Sequence, residues 1–100
     1  MKYYVYILYS PSADRYYVGQ SHDPKARLKE HNHGDRPNQS TKYTFKHRPW
    51  ELKVSFVAGN SRAEAMKIER YIKRQKSRQF IQALIEAHPD EEQFAQLLRV

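Results

Sequence analysis

"KYYVYILYSPSADRYYVGQS", residues 2–21, holds six of the chain's eight tyrosines, and its reading decides the fold. Residues 3–9 (YYVYILY) form a run of aromatic and branched side chains, the types that pack well on a pleated surface. Residues 10–15 (SPSADR) are turn formers, and residues 16–20 (YYVGQ) return to strand chemistry. The pattern predicts a hairpin whose loop is about six residues long. Side chains alternate across a strand, so Tyr4, Tyr6 and Leu8 share one face and Val5, Ile7 and Tyr9 the other. Tyr16 and Tyr17 must likewise point to opposite sides. Strands are rich in tyrosine for packing reasons alone. What matters is which of the six carry a hydroxyl to chemistry.

Working outward, Asp23 suits a helix N-cap, Pro24 the first helical position and Gly34 a left-handed stop, which predicts a helix from about Pro24 to about His33. From Gly34 to about Lys42 (GDRPNQSTK) the chain is polar and breaker-rich and is expected to be a flexible loop. Tyr43, Thr44 and Phe45 then touch down on the body of the domain. In WELKVSFVA, residues 50–58, Trp50, Leu52, Val54 and Phe56 alternate with Glu51, Lys53 and Ser55, the period-two signature of a strand with one buried face. Ser61 and Glu64 form a capping-box pattern ahead of a helix whose apolar stripe is Ala65, Ile68 and Ile72, with Tyr71 beside it. A break near Lys76, Ser77 and Arg78 precedes a further helix that turns Phe80, Leu84, Ile81 and Ile85 inward and ends before Pro89. The tail DEEQFAQLLRV, residues 90–100, has acids where a helix dipole favours them and is compatible with a short terminal helix. The expected order β-β-α-β-α-α is an α+β fold, a three-stranded antiparallel sheet flanked by helices.

Composition narrows the functional classes. One hundred residues fit a single domain with one modest core. No apolar run reaches the ~18 residues of a membrane span, and no cleavage site follows the first strand-like run, so a cytoplasmic protein without a membrane role is expected. Zero cysteines exclude disulfides and thiolate metal sites. A formal charge of +7 favours a polyanionic partner, nucleic acid or an anionic membrane surface. Between residues 62 and 78 stand seven basic residues (Arg62, Lys67, Arg70, Lys73, Arg74, Lys76, Arg78) against Glu64 and Glu69. Such a strip either contacts phosphate backbones or is simply a solvated face.

Two positions stand out for chemistry. Arg27 and His31 are one helical turn apart on one face, an arrangement that can hold an anionic oxygen and titrate near neutrality. Spacing alone favours the plainer reading of two solvated surface residues. Glu69 lies at the edge of the apolar stripe of its helix, where a carboxylate can reach a cleft and bind a hard cation. It also stands in the favoured spacing for an intrahelical pair with Lys73.

The pieces assemble into a resemblance. YVYIL at residues 4–8 and YYVG at residues 16–19 together resemble the paired signature of the GIY-YIG nuclease superfamily, with Tyr4-Val5-Tyr6 standing for G-I-Y and Tyr17-Val18-Gly19 for Y-I-G. ARLKEH (26–31) resembles the family's first-helix arginine with a histidine one turn on, and EAMKIERYIKR (64–74) the helix bearing its single essential glutamate. Small stand-alone bacterial proteins related to the Uri-type GIY-YIG endonucleases share the YYVYIL, the KYT and RPW seen at residues 42–44 and 48–50, and the IKR after the glutamate. Tyr4 stands in place of the first glycine, as in that branch. No asparagine follows the glutamate in KSRQFIQ (76–82), where some members carry one. The resemblance covers residues 2 to about 80 and leaves residues 81–100 as a C-terminal helical extension packed on the same domain.

The resemblance implies hydrolysis of nucleic-acid phosphodiesters, DNA being the expected substrate, with one Mg²⁺ or Mn²⁺ ion and no organic cofactor. Its catalytic residues would be Tyr6, Tyr17, Arg27, His31 and Glu69, with Glu69 as metal ligand. Tyr43, Arg62, Arg70, Lys73, Arg74 and Lys76 are the expected nucleic-acid contacts. The rival reading is a binding module that keeps the fold without turnover. A purely structural domain leaves the spacing of the Tyr, Arg and Glu residues unexplained. Neither oligomeric state nor duplex against branched substrate is legible.

Overall fold

The strand-forming run of residues 3–10 becomes the middle of the sheet. The computed structural model describes residues 1–33 and 42–98. Its elements are β1 (Tyr3–Ser10), β2 (Arg15–Ser21), α1 (Pro24–His33), α2 (Lys42–Lys46), β3 (Glu51–Gly59), α3 (Arg62–Arg74), α4 (Arg78–Ala87) and α5 (Glu91–Leu98). The strand order is β2-β1-β3 and both pairings are antiparallel. The α+β architecture is the one expected, with one addition. The touchdown after the loop is a short helix, α2, while the tail forms α5, the short terminal helix with which its sequence is compatible. The polar loop expected from Gly34, with its helix stop, lies outside the described residues apart from Lys42.

Because β1 is central, both its faces are covered and Val5, Tyr6, Ile7 and Leu8 are all buried. Val5 and Ile7 join Val18, Val54 and residues of α3, α4 and α5 in the larger core. Tyr6 and Leu8 point the other way, into a smaller cluster with Trp50, flanked by Tyr17, Leu28 and Leu52. The alternation read from β1 is therefore kept.

β3 corrects the expectation of one buried face. Ile7 lies opposite Val54 but Leu8 lies opposite Leu52, so the register shifts by one residue at Lys53. A bulge reverses the facing of everything beyond it. Trp50 and Leu52 thus pack beside Tyr6 and Leu8, while Val54 and Phe56 pack with Val5 and Ile7.

The helix ends follow their local chemistry. Asp23 Oδ1 accepts the Ala26 N–H at 3.2 Å and starts α1. Ser61 Oγ accepts the Glu64 N–H at 3.2 Å, while the Glu64 carboxylate reaches back to the Asn60 N–H, one residue before the cap. Lys76 adopts φ 47°, a left-handed conformation that ends α3 and turns the chain. Ser77 then caps α4 by accepting the Phe80 N–H at 3.1 Å. Ala65, Ile68 and Ile72 pack α3 on the sheet, Leu84 and Ala87 bring in α4, and Phe94 meets Phe56 edge-on at 4.8 Å to close α5 over it.

Ile72 is fully buried where α3 meets the sheet, so Ile72→Ala is expected to cost about 2–5 kcal/mol in urea unfolding. Lys67→Ala, on the exposed side of the same helix, should stay within about 0.5 kcal/mol.

Candidate active site

Tyr6 is 1% exposed on the α1 side of the sheet. Directly across the β1–β2 ladder stands Gly19. A Cβ there would lie 2.5 Å from Tyr6 Oη and 2.6 Å from Cζ, so only glycine leaves room for the phenol. The hydroxyl cannot remain unpaired in this cover, and α1 supplies its partners. Leu28 anchors α1 on the Tyr6–Leu8–Trp50 cluster. That turns His31 inward, 1% exposed, with Nε2 at 3.1 Å from Tyr6 Oη. The Arg27 guanidinium, one turn earlier, lies close enough to act electrostatically on the phenol and pairs with Glu30. Arg27 and His31 are thus not the solvated pair that spacing allowed.

Tyr17 completes an aromatic wall on the same face. Its ring centroid lies 6.4 Å from Tyr6, 5.0 Å from His31 in an edge-on contact and 6.3 Å from Trp50. Tyr43 of α2 stacks on it at 6.3 Å, with an interplanar angle of 23°, and is 42% exposed. From α3, Lys73 Nζ lies 5.7 Å over the Tyr17 ring and 2.8 Å from Glu69 Oε1. Glu69 therefore makes the intrahelical pair and borders the tyrosines at once. Its carboxylate is close enough to act electrostatically on Tyr6.

The five residues expected from the sequence as catalytic fall at one locality: Tyr6 and His31 hydrogen-bonded together, Arg27 within electrostatic reach of both, Tyr17 against them, and Glu69 at the margin through Lys73. The expected nucleic-acid contacts divide. Tyr43 and Lys73 adjoin the tyrosines. Lys76 lines, with Tyr16, Tyr43 and Arg78, an open cleft of about 480 Å³ beside them. Arg70 and Arg74 are exposed on α3. Arg62 sits over the Tyr3 ring at 5.6 Å in the first turn of α3, about 10 Å along the axis from Glu69, and does not join the site.

Sequence reasoning gave no role to Thr44 or Asn32. Thr44 Oγ1 is 2.6 Å from His31 Nδ1 and fully buried. Asn32 holds both backbone groups of Trp50, accepting its N–H at 2.6 Å and donating to its carbonyl at 2.9 Å. Short polar residues near a breaker-rich segment read as turn chemistry. Only the KYT and RPW spacing hinted that this segment returns to the sheet.

The electrostatics follow from burial. Loss of solvent, reinforced by Tyr17 and Glu69 and opposed by Arg27, pushes the Tyr6 phenol up to about 12. Loss of solvent and the adjacent Arg27 charge lower the His31 imidazole to about 4. Both groups are neutral at pH 7. Among the described residues no cluster of three or more His, Asp or Glu side chains could cage a metal ion. A single carboxylate near the tyrosines is a donor type that suits a hard cation which would take the rest of its shell from other oxygens.

His31 also carries a pH signature. Its folded-state value lies below that of the unfolded chain, so protons bind preferentially to the unfolded state between about pH 6.5 and 4. The stabilisation is present in full above pH 6.5 and is lost as pH falls through that window, by about 3 kcal/mol at the 1.36 kcal/mol per unit of linkage. Urea titrations at successive pH values should show this slope, and His31→Gln should remove it.

The comparisons with known proteins bear on this geometry. The family model described as the GIY-YIG catalytic domain matches residues 2–95, nearly the whole chain and past the end of α4. A search of curated proteins returns no match. With the tyrosines of both signature strands facing one arginine and histidine, and with that match over them, the chain belongs to the GIY-YIG family, whose members are nucleases acting on nucleic acid.

Proposed function

We propose that the chain is a divalent-cation-dependent endonuclease that hydrolyses phosphodiester bonds in DNA. The observation that carries this reading is the buried Tyr6 hydroxyl bonded to His31, with Tyr17 beside it and Arg27 and Glu69 within electrostatic reach. Arg27 forks the non-bridging oxygens of the scissile phosphate and stabilises the charge that builds on them in the transition state. Glu69 would hold a Mg²⁺ or Mn²⁺ ion, whose chemistry there would be to polarise the phosphate and stabilise charge on the leaving oxygen.

Tyr6 and His31 move the proton. A phenol pushed up to about 12 is protonated in the free protein and cannot act as a base as it stands. An imidazole lowered to about 4 is neutral and has a lone pair to offer. A phosphate bound at Arg27 offsets the charge that lowers His31, and the Tyr6 proton passes to Nε2 as the phenol oxygen takes one from the attacking water, so no free phenolate forms. The water oxygen bonds to phosphorus, the bond to the leaving oxygen breaks, and that oxygen takes up a proton from solvent while His31 returns its own. Tyr17 orients the water or the phosphate. Tyr43, exposed and stacked on Tyr17, contacts the nucleic acid, with Lys73, Arg70, Arg74 and Lys76 on the phosphate backbone.

The test is nicking of supercoiled and branched DNA with Mg²⁺ or Mn²⁺. Glu69→Gln and Tyr6→Phe should each slow cleavage about 10²- to 10⁴-fold, while DNA binding by mobility shift stays near the wild type. Undiminished cleavage by Glu69→Gln removes the metal-ligand role. Binding by the wild type without cleavage under either cation replaces the enzyme with a binding module on the same fold.

A further inference from the structure

We propose that Thr44 is a positioning residue: its hydroxyl oxygen accepts the His31 Nδ1 proton and so keeps the Nε2 lone pair turned on Tyr6. The proposal rests on reading Tyr6 and His31 as the proton-transfer pair. A neutral imidazole carries one proton, and the two ends of this ring face different oxygens, Tyr6 Oη at 3.1 Å and Thr44 Oγ1 at 2.6 Å. Which end holds the proton follows from the phenol. Tyr6 is almost fully buried, and the one hydrogen-bond partner of its hydroxyl among the described residues is His31 Nε2, the nearby Arg27 being able only to donate. Were the imidazole proton on Nε2, it would point at the phenol oxygen and the phenol's own hydrogen would have no acceptor among the described residues. The satisfied arrangement runs Tyr6 O–H to Nε2, and Nδ1–H to Thr44 Oγ1.

This tautomer is the one the reaction needs. With the lone pair on Nε2 the ring takes the Tyr6 proton in one step, becoming an imidazolium whose Nδ1–H stays on Thr44. With the proton on Nε2 the ring would first have to release it. Thr44 is fixed for the task from several directions. It is fully buried, and its carbonyl accepts the Trp50 indole N–H at 2.9 Å. Trp50 is in turn bonded twice to Asn32, the neighbour of His31. α1, α2 and the start of β3 thus close a ring of hydrogen bonds around the imidazole, so the tautomer is set before substrate arrives.

Long-range proton–nitrogen spectra of the imidazole rings read the tautomer directly, with His31→Gln assigning the signals. At neutral pH the wild type and Thr44→Ser should show His31 protonated on Nδ1, and Thr44→Val should show the proton on Nε2 or shared between the two nitrogens. Turnover should follow: kcat lowered about 10²-fold in Thr44→Val, the low end of what positioned acid–base groups contribute, with KM unchanged and Thr44→Ser near the wild type. A wild-type ring protonated on Nε2, or a Thr44→Val ring still protonated on Nδ1, overturns the assignment. If Thr44→Val does not fold, the wild-type and Thr44→Ser spectra decide it. The spectra need no turnover, so a wild type that cuts nothing overturns the nuclease reading without touching this result.

Discussion

A hydroxyl is buried in the middle of the central strand, and most of the structure answers to it. Residues 5–8 of β1 are all buried, and three of the four are aliphatic. The fourth, Tyr6, brings an O–H that costs about 1–3 kcal/mol if it goes unpaired there. Its needs set the rotation of α1, because Arg27 and His31 must reach it together with Leu28 packed beneath. They require a glycine at the facing ladder position, since any Cβ at residue 19 would occupy the phenol's space. They extend to Thr44 and, through the indole N–H, to Trp50 and Asn32. A single satisfied network gathers α1, α2 and the entry to β3 over one face of the sheet.

That demand also explains why the sheet has two unlike sides. The face carrying Val5, Ile7 and Val54 is apolar and closed by three helices, and it supplies the bulk of the hydrophobic burial. The opposite face carries few aliphatic residues and several polar atoms, with aromatic rings filling the volume between them. The bulge in β3 links the two sides by sending Leu52 to one and Val54 to the other, so a nine-residue strand contributes to both clusters. Stability and chemistry are thereby divided between opposite surfaces of β1. A cavity on the helical side loosens the fold, whereas a polar change on the α1 side disturbs the site.

Much of this could be read from the chain because local signals agreed with the fold. The strand run of residues 3–9, the Asp23 cap, the stripe of α3 and the break at Lys76 each follow from neighbours a few residues apart. The single face assigned to β3 went astray for a non-local reason. Periodicity in Trp50, Leu52, Val54 and Phe56 is regular in sequence, and only pairing with β1 introduces the shift at Lys53. The same limit hid Thr44, whose meaning depends on a histidine thirteen positions earlier. Glu69 shows a different limit. Sequence posed cleft residue and intrahelical partner as alternatives; the structure shows the pair with Lys73, and the position of Lys73 over the Tyr17 ring, which depends on another strand, brings that pair to the margin of the tyrosines.

The charges of the site sort by how firmly each is held. Tyr6, His31 and Thr44 are neutral, buried and bound to one another, so they change little until a proton moves. The ionic groups lie outward and have partners that can be exchanged. Arg27 pairs with Glu30 and Lys73 with Glu69, all four retaining contact with water. Pairs of that kind contribute about 0–1 kcal/mol, far less than a phosphate forked by a guanidinium or a carboxylate bound to a divalent cation. On the proposed reading, an arriving phosphodiester would take Arg27 from Glu30, and a cation would take Glu69 from Lys73, without disturbing the hydrogen bonds beneath. The net charge of +7 draws the polyanion in. On the proposed reading, partner exchange at the rim would then deliver its phosphate to Tyr6 and His31, whose geometry is fixed by folding.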